Sequence, residues 1–173
     1  MTSEHKVFIG IGLATVLVLT AGVLFLSKQD ERLSKPLMGQ EVKVTGRTHF
    51  PQGTPIQYDT NPPAEGNHYP NPQQAGIYTT PPADGNLVHS LEHGAVILWY
   101  NPKKISSAQI DELKGIYNKA PGSKDIMVSR TNMDVPVALT SWGRIMKLKA
   151  IDEKIIDAFF STNVDRGPEQ APL

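Results

Sequence analysis

Four of the five histidines of this chain lie between residues 49 and 93, and two of them stand four residues apart in the string His89-Ser-Leu-Glu-His93. Side chains at this spacing share one face of a helix or of a strand, so both imidazoles can approach one ion in either backbone state. Neutral imidazole is the commonest metal ligand among side chains. The pattern therefore predicts a metal site with the ligands His49, His68, His89 and His93.

The sequence leaves the ion open between copper and zinc. Three imidazoles with a water molecule suit a catalytic-type zinc site, whereas imidazoles with a thioether suit copper. The chain has no cysteine, so thiolate sites, disulfides and thiol catalysis are excluded and any soft ligand has to be a methionine. Met133 is the predicted soft fifth ligand. Glu92 is predicted to stand behind a ligand and to fix the tautomer of a histidine ring.

The order His89-x-x-Glu92-His93 also matches the inverted zinc-protease motif, in which the glutamate acts as general base. That motif needs a long helix and a further acidic ligand downstream, whereas here a glycine and a β-type run follow at once. The glycines form no phosphate-binding loop, and Ser90 has no nucleophile-elbow context. We therefore predict no catalytic or cofactor-binding residue, and the sequence leans towards a protein that is not an enzyme.

The N-terminal part of the chain has the composition of a membrane span. Residues 7–26 are apolar and uncharged throughout, and a helix of this length reaches about 30 Å, the thickness of the hydrocarbon core of a bilayer. The run ends in large apolar residues, whereas a signal-peptide cleavage site has small ones, so we predict an uncleaved single-pass anchor. Basic residues flank the span on both sides and leave its orientation open.

The remaining sequence is long enough for one domain and short for two. Its formal net charge is zero and neither sign clusters, so no nucleic-acid partner is predicted. We divide the chain into a short N-terminal cytoplasmic segment, a transmembrane helix, a juxtamembrane linker, a folded domain and a C-terminal tail, at residues 1–6, 7–26, 27–45, 46–166 and 167–173.

Local patterns predict the elements of this domain. Prolines crowd residues 51–82 and exclude regular helix there, which indicates a long pinned loop. The elements predicted after this loop are a buried strand, a capped helix, two strands and a last helix, at residues 94–100, 107–119, 126–129, 135–141 and 153–160. This order indicates a small α+β domain in which two helices pack on an antiparallel or mixed sheet.

Several motifs run through nearly the whole soluble part of the chain, among them Gly46-Arg-Thr-His49, Asn61-Pro-Pro, Val88-His-Ser-Leu-Glu-His-Gly-Ala-Val96, Trp142-Gly-Arg144 and Gly167-Pro-Glu169. Together they resemble the DUF3105 family, bacterial and archaeal proteins without an assigned activity. Each of the four clustered histidines falls on a histidine of the family pattern, whereas His5 does not. The resemblance implies an N-terminal membrane helix with the domain outside the cytoplasm, in the periplasm or its equivalent, and it implies no enzyme activity.

Two classes of function follow from these features. The first is a membrane-anchored extracytoplasmic domain that binds copper or zinc through the histidine cluster. The alternative is a metal-free interaction or assembly module of a membrane complex, with structural histidines and a proline-rich loop that contacts a membrane-protein partner. A metal-dependent hydrolase is the outsider.

Overall fold

The computed structural model describes residues 2–120, 122–169 and 171–173. The chain forms two compact units, Met1–Pro36 and Leu37–Leu173. The first unit consists mainly of helix α1 (Ser3–Ser34). Its part Ser3–Lys28, with a mean hydropathy of 2.5, is long and apolar enough to cross a membrane, a property that a signal sequence shares. The predicted N-terminal apolar helix is thus confirmed.

The second unit is built on a mixed sheet, which confirms the predicted α+β class. Its six strands are β1 (Gln40–Glu41), β2 (Gly76–Tyr78), β3 (Ile97–Tyr100), β4 (Ile126–Ser129), β5 (Val137–Ser141) and β6 (Arg144–Leu148). They lie in the order β1-β6-β5-β3-β4-β2. The three strands β3, β4 and β2 pair in parallel, whereas β5, β6 and β1 pair antiparallel with their neighbours. A parallel pair needs a crossover, so a helix connects β3 to β4.

Three helices accompany this sheet, namely α2 (Asp84–Glu92), α3 (Ser107–Tyr117) and α4 (Glu153–Asn163). The sequence predicts two of them from their N-caps, because the side chains of Ser106 and Asp152 accept hydrogen bonds from the first turns of α3 and α4. It does not predict α2. The N-cap residue of α2 is Ala83, which makes no side-chain hydrogen bond, so no capping side chain marks its start.

The central strand β3 is buried on both faces, as its apolar run predicts. Leu98 and Tyr100 belong to one apolar cluster, which includes residues of α3 and α4. Ile97 and Trp99 belong to a second cluster, to which α2 contributes Leu87 and Leu91. Helix α2 is therefore anchored to the sheet by its leucines, and its remaining faces are covered by other parts of the chain.

The proline-rich stretch covers α2 and is pinned to it by backbone and side-chain hydrogen bonds. Tyr69 N donates to Gly85 O at 3.2 Å. Further along, Gln73 N donates to Ser90 Oγ and Ser90 Oγ donates to Gln73 O, each at 2.8 Å. These bonds satisfy backbone groups that have no ladder of their own. They also make α2 a buried helix, with every residue from Leu87 to Glu92 buried.

The segments predicted as linker and tail take part in the fold. Residues 27–45 divide between the end of α1 and strand β1, where Gln40 pairs with Ile145. At the other end of the chain, Asp165 N donates to Gly94 O at 2.8 Å and Glu169 N donates to Glu92 O at 3.0 Å. The tail therefore returns to the C-terminal end of α2.

Candidate metal centre

The four predicted histidines lie together. The ring centroids of His49 and His68 are 4.7 Å apart, those of His49 and His89 are 4.9 Å apart, and those of His68 and His89 are 4.7 Å apart. The ring of His93 follows, with its centroid 4.5 Å from that of His89. The structure thus brings the candidate residues to one place, and their role as ligands stays a prediction.

Three segments of the chain position these rings. His49 and His68 lie on neighbouring loop segments that form an isolated parallel β-bridge, held by backbone hydrogen bonds of 2.8 and 3.1 Å. His89 lies in the last turn of α2, and His93 is its C-cap residue. Because residues four apart face the same side of a helix, the helical state of α2 directs both of these rings to the loop segments.

Backbone carbonyls hold one nitrogen in three of the rings. The Nδ1 atoms of His68, His89 and His93 lie 2.9, 2.6 and 2.7 Å from main-chain oxygens, which belong to Gly66, Tyr69 and Pro172. A carbonyl oxygen only accepts, so each Nδ1 carries a proton and donates it. Each neutral ring therefore presents a lone pair at Nε2.

These Nε2 atoms face other acceptors. His89 Nε2 is 3.0 Å from His93 Nε2, and His68 Nε2 is 2.9 Å from Glu92 Oε2. Despite this short distance, His68 Nε2 has no hydrogen-bond partner in the described part of the chain. Because the proton of the neutral His68 ring is on Nδ1, its Nε2 and the facing carboxylate oxygen are both acceptors, and they repel one another unless a cation lies between them.

Burial disfavours a proton as that cation. His68 is 0% and His89 is 4% exposed. Desolvation is the largest influence on both rings: it lowers the pKa of His68 and lowers the pKa of His89 to about 4. Both rings are therefore neutral at neutral pH. A metal ion binds imidazole in this neutral form, so it satisfies the lone pairs where a proton does not.

Glu92 lies among the candidate ligand atoms. One of its carboxylate oxygens faces His68 Nε2, and the other accepts a hydrogen bond from Arg47 Nε. The sequence predicts that Glu92 fixes the tautomer of a histidine ring, and this role stays a prediction; in three rings a backbone carbonyl contacts Nδ1. A carboxylate oxygen of Glu92 lies within 4.8 Å of the donor nitrogens of His49, His68 and His89, so Glu92 belongs to the same group of candidate ligands.

The donor atoms form two groups that share one residue. Within each group, one donor atom per residue lies within 4.8 Å of every other. The groups are His49, His68, His89 and Glu92 for the first, and His89, His93 and Glu169 for the second. The sequence does not predict Glu169 as a site residue, because the tail meets α2 only through tertiary contacts. Its proximity to His93, with Nε2 and Oε2 2.9 Å apart, has no signal in local spacing.

Met133, the predicted soft ligand, is 3% exposed and belongs to the apolar cluster beneath α2. Its neighbours there include Leu87, Leu91 and Trp99, and its main-chain oxygen accepts a hydrogen bond from Asn101 Nδ2 at 3.0 Å. These surroundings are those of an ordinary core methionine. A ligand role for Met133 stays a prediction.

The segment of the chain that matches a known protein family includes the whole of this site. The profile of the family described as a protein of unknown function (DUF3105) matches residues 49–172. The chain belongs to the DUF3105 family. The match begins at His49 and includes Glu169, so both groups of donor atoms lie inside the family domain. Neither the curated proteins nor the solved structures give a match.

Proposed function

We propose that this DUF3105 domain binds one divalent transition-metal ion, copper or zinc, through His49, His68, His89 and Glu92. The observation that supports this function best is the buried Nε2 of His68, which faces Glu92 Oε2 at 2.9 Å without a hydrogen-bond partner in the described structure. An unsatisfied buried acceptor costs about 1–3 kcal/mol, which an ion between the two atoms recovers.

The donor set suits an ion of borderline softness. Three neutral imidazoles and one carboxylate oxygen form a nitrogen-rich set of the kind that binds Zn²⁺ or Cu²⁺, whereas Mg²⁺ and Ca²⁺ prefer sites made of oxygen. Arg47 occupies the second oxygen of Glu92, which leaves one oxygen for the ion. His49 is exposed and the other three donors are buried, so His49 is the one solvent-facing ligand of this set.

The proposed role is that of a membrane-anchored metal-binding domain outside the cytoplasm, without an enzyme activity of its own. The apolar helix Ser3–Lys28 supports an anchor, since it has the length and composition of a membrane span. Such a domain holds an ion outside the cytoplasm, where a membrane-protein partner can receive it.

Metal binding is tested on the full chain, purified in detergent without an affinity tag and stripped with a chelator. Binding to the folded state alone stabilises it by about 2.7 kcal/mol at a hundredfold excess over Kd. We therefore expect Cu²⁺ or Zn²⁺ to raise the melting temperature by several degrees. His68→Gln and the exposed His49→Gln should clearly reduce this rise, whereas His5→Gln, in the N-terminal helix, should leave it intact.

The metal-free alternative makes the opposite prediction for the same samples. If the stripped chain melts at one temperature with and without both metals, and elemental analysis of the purified chain finds neither, the histidines are structural. The assembly module then becomes the better account of the domain.

The position of the domain is tested by labelling, because the absence of cysteine makes any introduced thiol unique. Lys103→Cys puts a thiol at an exposed position before α3, and Thr2→Cys puts one ahead of α1. In intact cells, a membrane-impermeant maleimide should label the first variant and not the second. The reverse pattern would place the domain in the cytoplasm.

A further inference from the structure

His89 belongs to both groups of donor atoms, and its ring has one nitrogen to offer. Its Nδ1 lies 2.6 Å from Tyr69 O and donates its proton there. The remaining Nε2 of a neutral imidazole has a single lone pair, so it binds one ion at a time. The two groups therefore compete for the same atom.

We propose that the histidine cluster holds one ion that alternates between two positions and keeps His89 as a ligand in both. The inner position consists of His49, His68, His89 and Glu92. The tail-side position consists of His89, His93 and Glu169. This inference rests on the proposed function, since it divides one metal site into two places that the same ion occupies in turn.

The tail-side position has the spacing of a ligand set. His93 Nε2 lies 3.0 Å from His89 Nε2 and 2.9 Å from Glu169 Oε2. Two nitrogens at this separation can both bond one Zn²⁺ or Cu²⁺ ion, since such bonds are about 2.0–2.1 Å long. Pro172 O holds the Nδ1 of His93, so its Nε2 is turned towards the other two donors.

The tail that supplies Glu169 is fixed to α2. Lys124 Nζ donates to His93 O at 2.8 Å and lies 3.1 Å from Asp165 Oδ1, which ties the start of the tail to the end of the helix. Gly167 passes so close to α2 that an added Cβ would lie 2.2 Å from Glu92 O. Glu169 is therefore held next to His93 by a segment of the chain that is itself fixed to α2.

The two positions differ in how strongly they hold an ion. The inner position has four donors, of which three are buried, whereas the tail-side position has three and its carboxylate side chain is 44% exposed. Fewer ligands and a solvated carboxylate give weaker binding and faster exchange. The tail-side position is thus the place through which the ion is taken up and released, while His89 retains it during transfer.

The test uses Cu²⁺ as the probe, with the full chain in detergent. Electron paramagnetic resonance at one equivalent should show two overlapping copper signals, and metal analysis under excess Cu²⁺ should find one ion per chain. Glu169→Gln and His93→Gln should each remove the same signal without reducing that ratio. Gly167→Ala, which displaces the tail, should remove it too. Release of copper to a chelator should become about tenfold slower in these variants.

The matched controls are Glu41→Gln, which changes an exposed carboxylate paired with Arg144, and His5→Gln. Both should show two signals. Two copper ions per chain with dipolar coupling would overturn the alternation, as would a single wild-type signal that Glu169→Gln does not change, and either result leaves the proposed function standing. Failure of the wild-type chain to bind copper or zinc would instead remove the proposed function together with the inference.

Discussion

Helices α2 and α3 have similar lengths, but they are stabilised in opposite ways. Helix α3 begins with a capping box at Ser106, buries only Leu113 and Ile116, and exposes much of its surface. Helix α2 has no side-chain cap and is buried from Leu87 to Glu92. Short helices obtain most of their stability from packing when their local signals are weak. Of the two, the helix that carries the proposed metal ligands is therefore the one that depends more on the rest of the fold.

The largest expected difference between the two helices is in how the free energy of unfolding responds to a glycine-to-alanine substitution in each. A Cβ at Gly85 of α2 would lie 2.6 Å from the ring of Tyr69, the residue whose oxygen holds His89. We expect Gly85→Ala to lower the free energy of unfolding by up to about 3 kcal/mol through overpacking, and to weaken metal binding. A Cβ at Gly115 of α3 would meet no atom of the described residues within 4 Å. Because alanine favours a helix more than glycine does, Gly115→Ala should raise the free energy of unfolding by about 0.5–1 kcal/mol.

Denaturant unfolding of the detergent-solubilised chain measures both changes. Equal stabilisation by the two alanines would mean that α2 is held no more tightly than α3, and the contrast between the helices would fail.

A second contrast lies in the ion pairs of the two helices. Asp84, in the first turn of α2, receives two hydrogen bonds from Arg130, of 2.7 and 2.9 Å, and the guanidinium also lies 5.3 Å from the centroid of the Trp99 ring. This pair is largely shielded from solvent, so Arg130→Ala should destabilise the domain by about 2 kcal/mol. Lys114→Ala, which removes the exposed pair with Asp111 on α3, should leave the unfolding free energy unchanged.

The comparison is made by thermal or denaturant unfolding at low and at high salt. The loss caused by Arg130→Ala should persist at high salt, because salt screens a shielded pair much less than an exposed one. A change in the unfolding free energy for Lys114→Ala as large as that for Arg130→Ala would contradict the contrast between the two ion pairs.

A third effect belongs to the segment between α3 and β4. Burial raises the pKa of Asp125 to about 7. A hydrogen bond from Gly122 N to the carboxylate acts in the opposite direction but is the smaller influence. The other oxygen of the side chain has no hydrogen-bond partner among the described residues. The folded state thus binds a proton that the unfolded state has released, and the contribution of Asp125 to stability falls as pH rises through about 7. Between pH 5 and pH 7 this loss should reach about 2 kcal/mol.

Asp125→Asn should remove this contribution, and the measurement is the difference in unfolding free energy between the wild type and Asp125→Asn as a function of pH. A profile in which the wild type and Asp125→Asn run parallel would show that Asp125 titrates alike in the folded and unfolded chain.

The smallest effects are expected from removing the N-cap side chain of α3 and from adding one to α2. Ser106→Ala removes the side chain that accepts from Gln109 N and should destabilise the domain by about 1 kcal/mol. Ala83 is exposed and has the extended backbone of an N-cap residue, so Ala83→Ser should add up to about 1 kcal/mol. The melting temperatures of the two variants measure this loss and this gain. No gain from Ala83→Ser would mean that the start of α2 is limited by the packing of the loop.

Residue types and local periodicity are enough to predict a large part of this protein. The apolar run of β3 indicates a strand buried on both faces, the caps at Ser106 and Asp152 indicate α3 and α4, and the apolar N-terminus indicates the helix confirmed as α1. The four histidines are also candidates on type and spacing alone. These features are readable because each depends on residues within a few positions of one another.

Tertiary structure decides which atoms the site presents. The Nδ1 of His93 is held by Pro172 O across 79 residues, and Glu169 reaches His93 from the tail, so neither contact has a signal in local spacing. Helix α2 forms without a cap because the sheet and the proline-rich loop bury it. Residue types determine that imidazoles are present. Only long-range packing determines which nitrogen carries the proton in His89 and His93, and therefore where their lone pairs face.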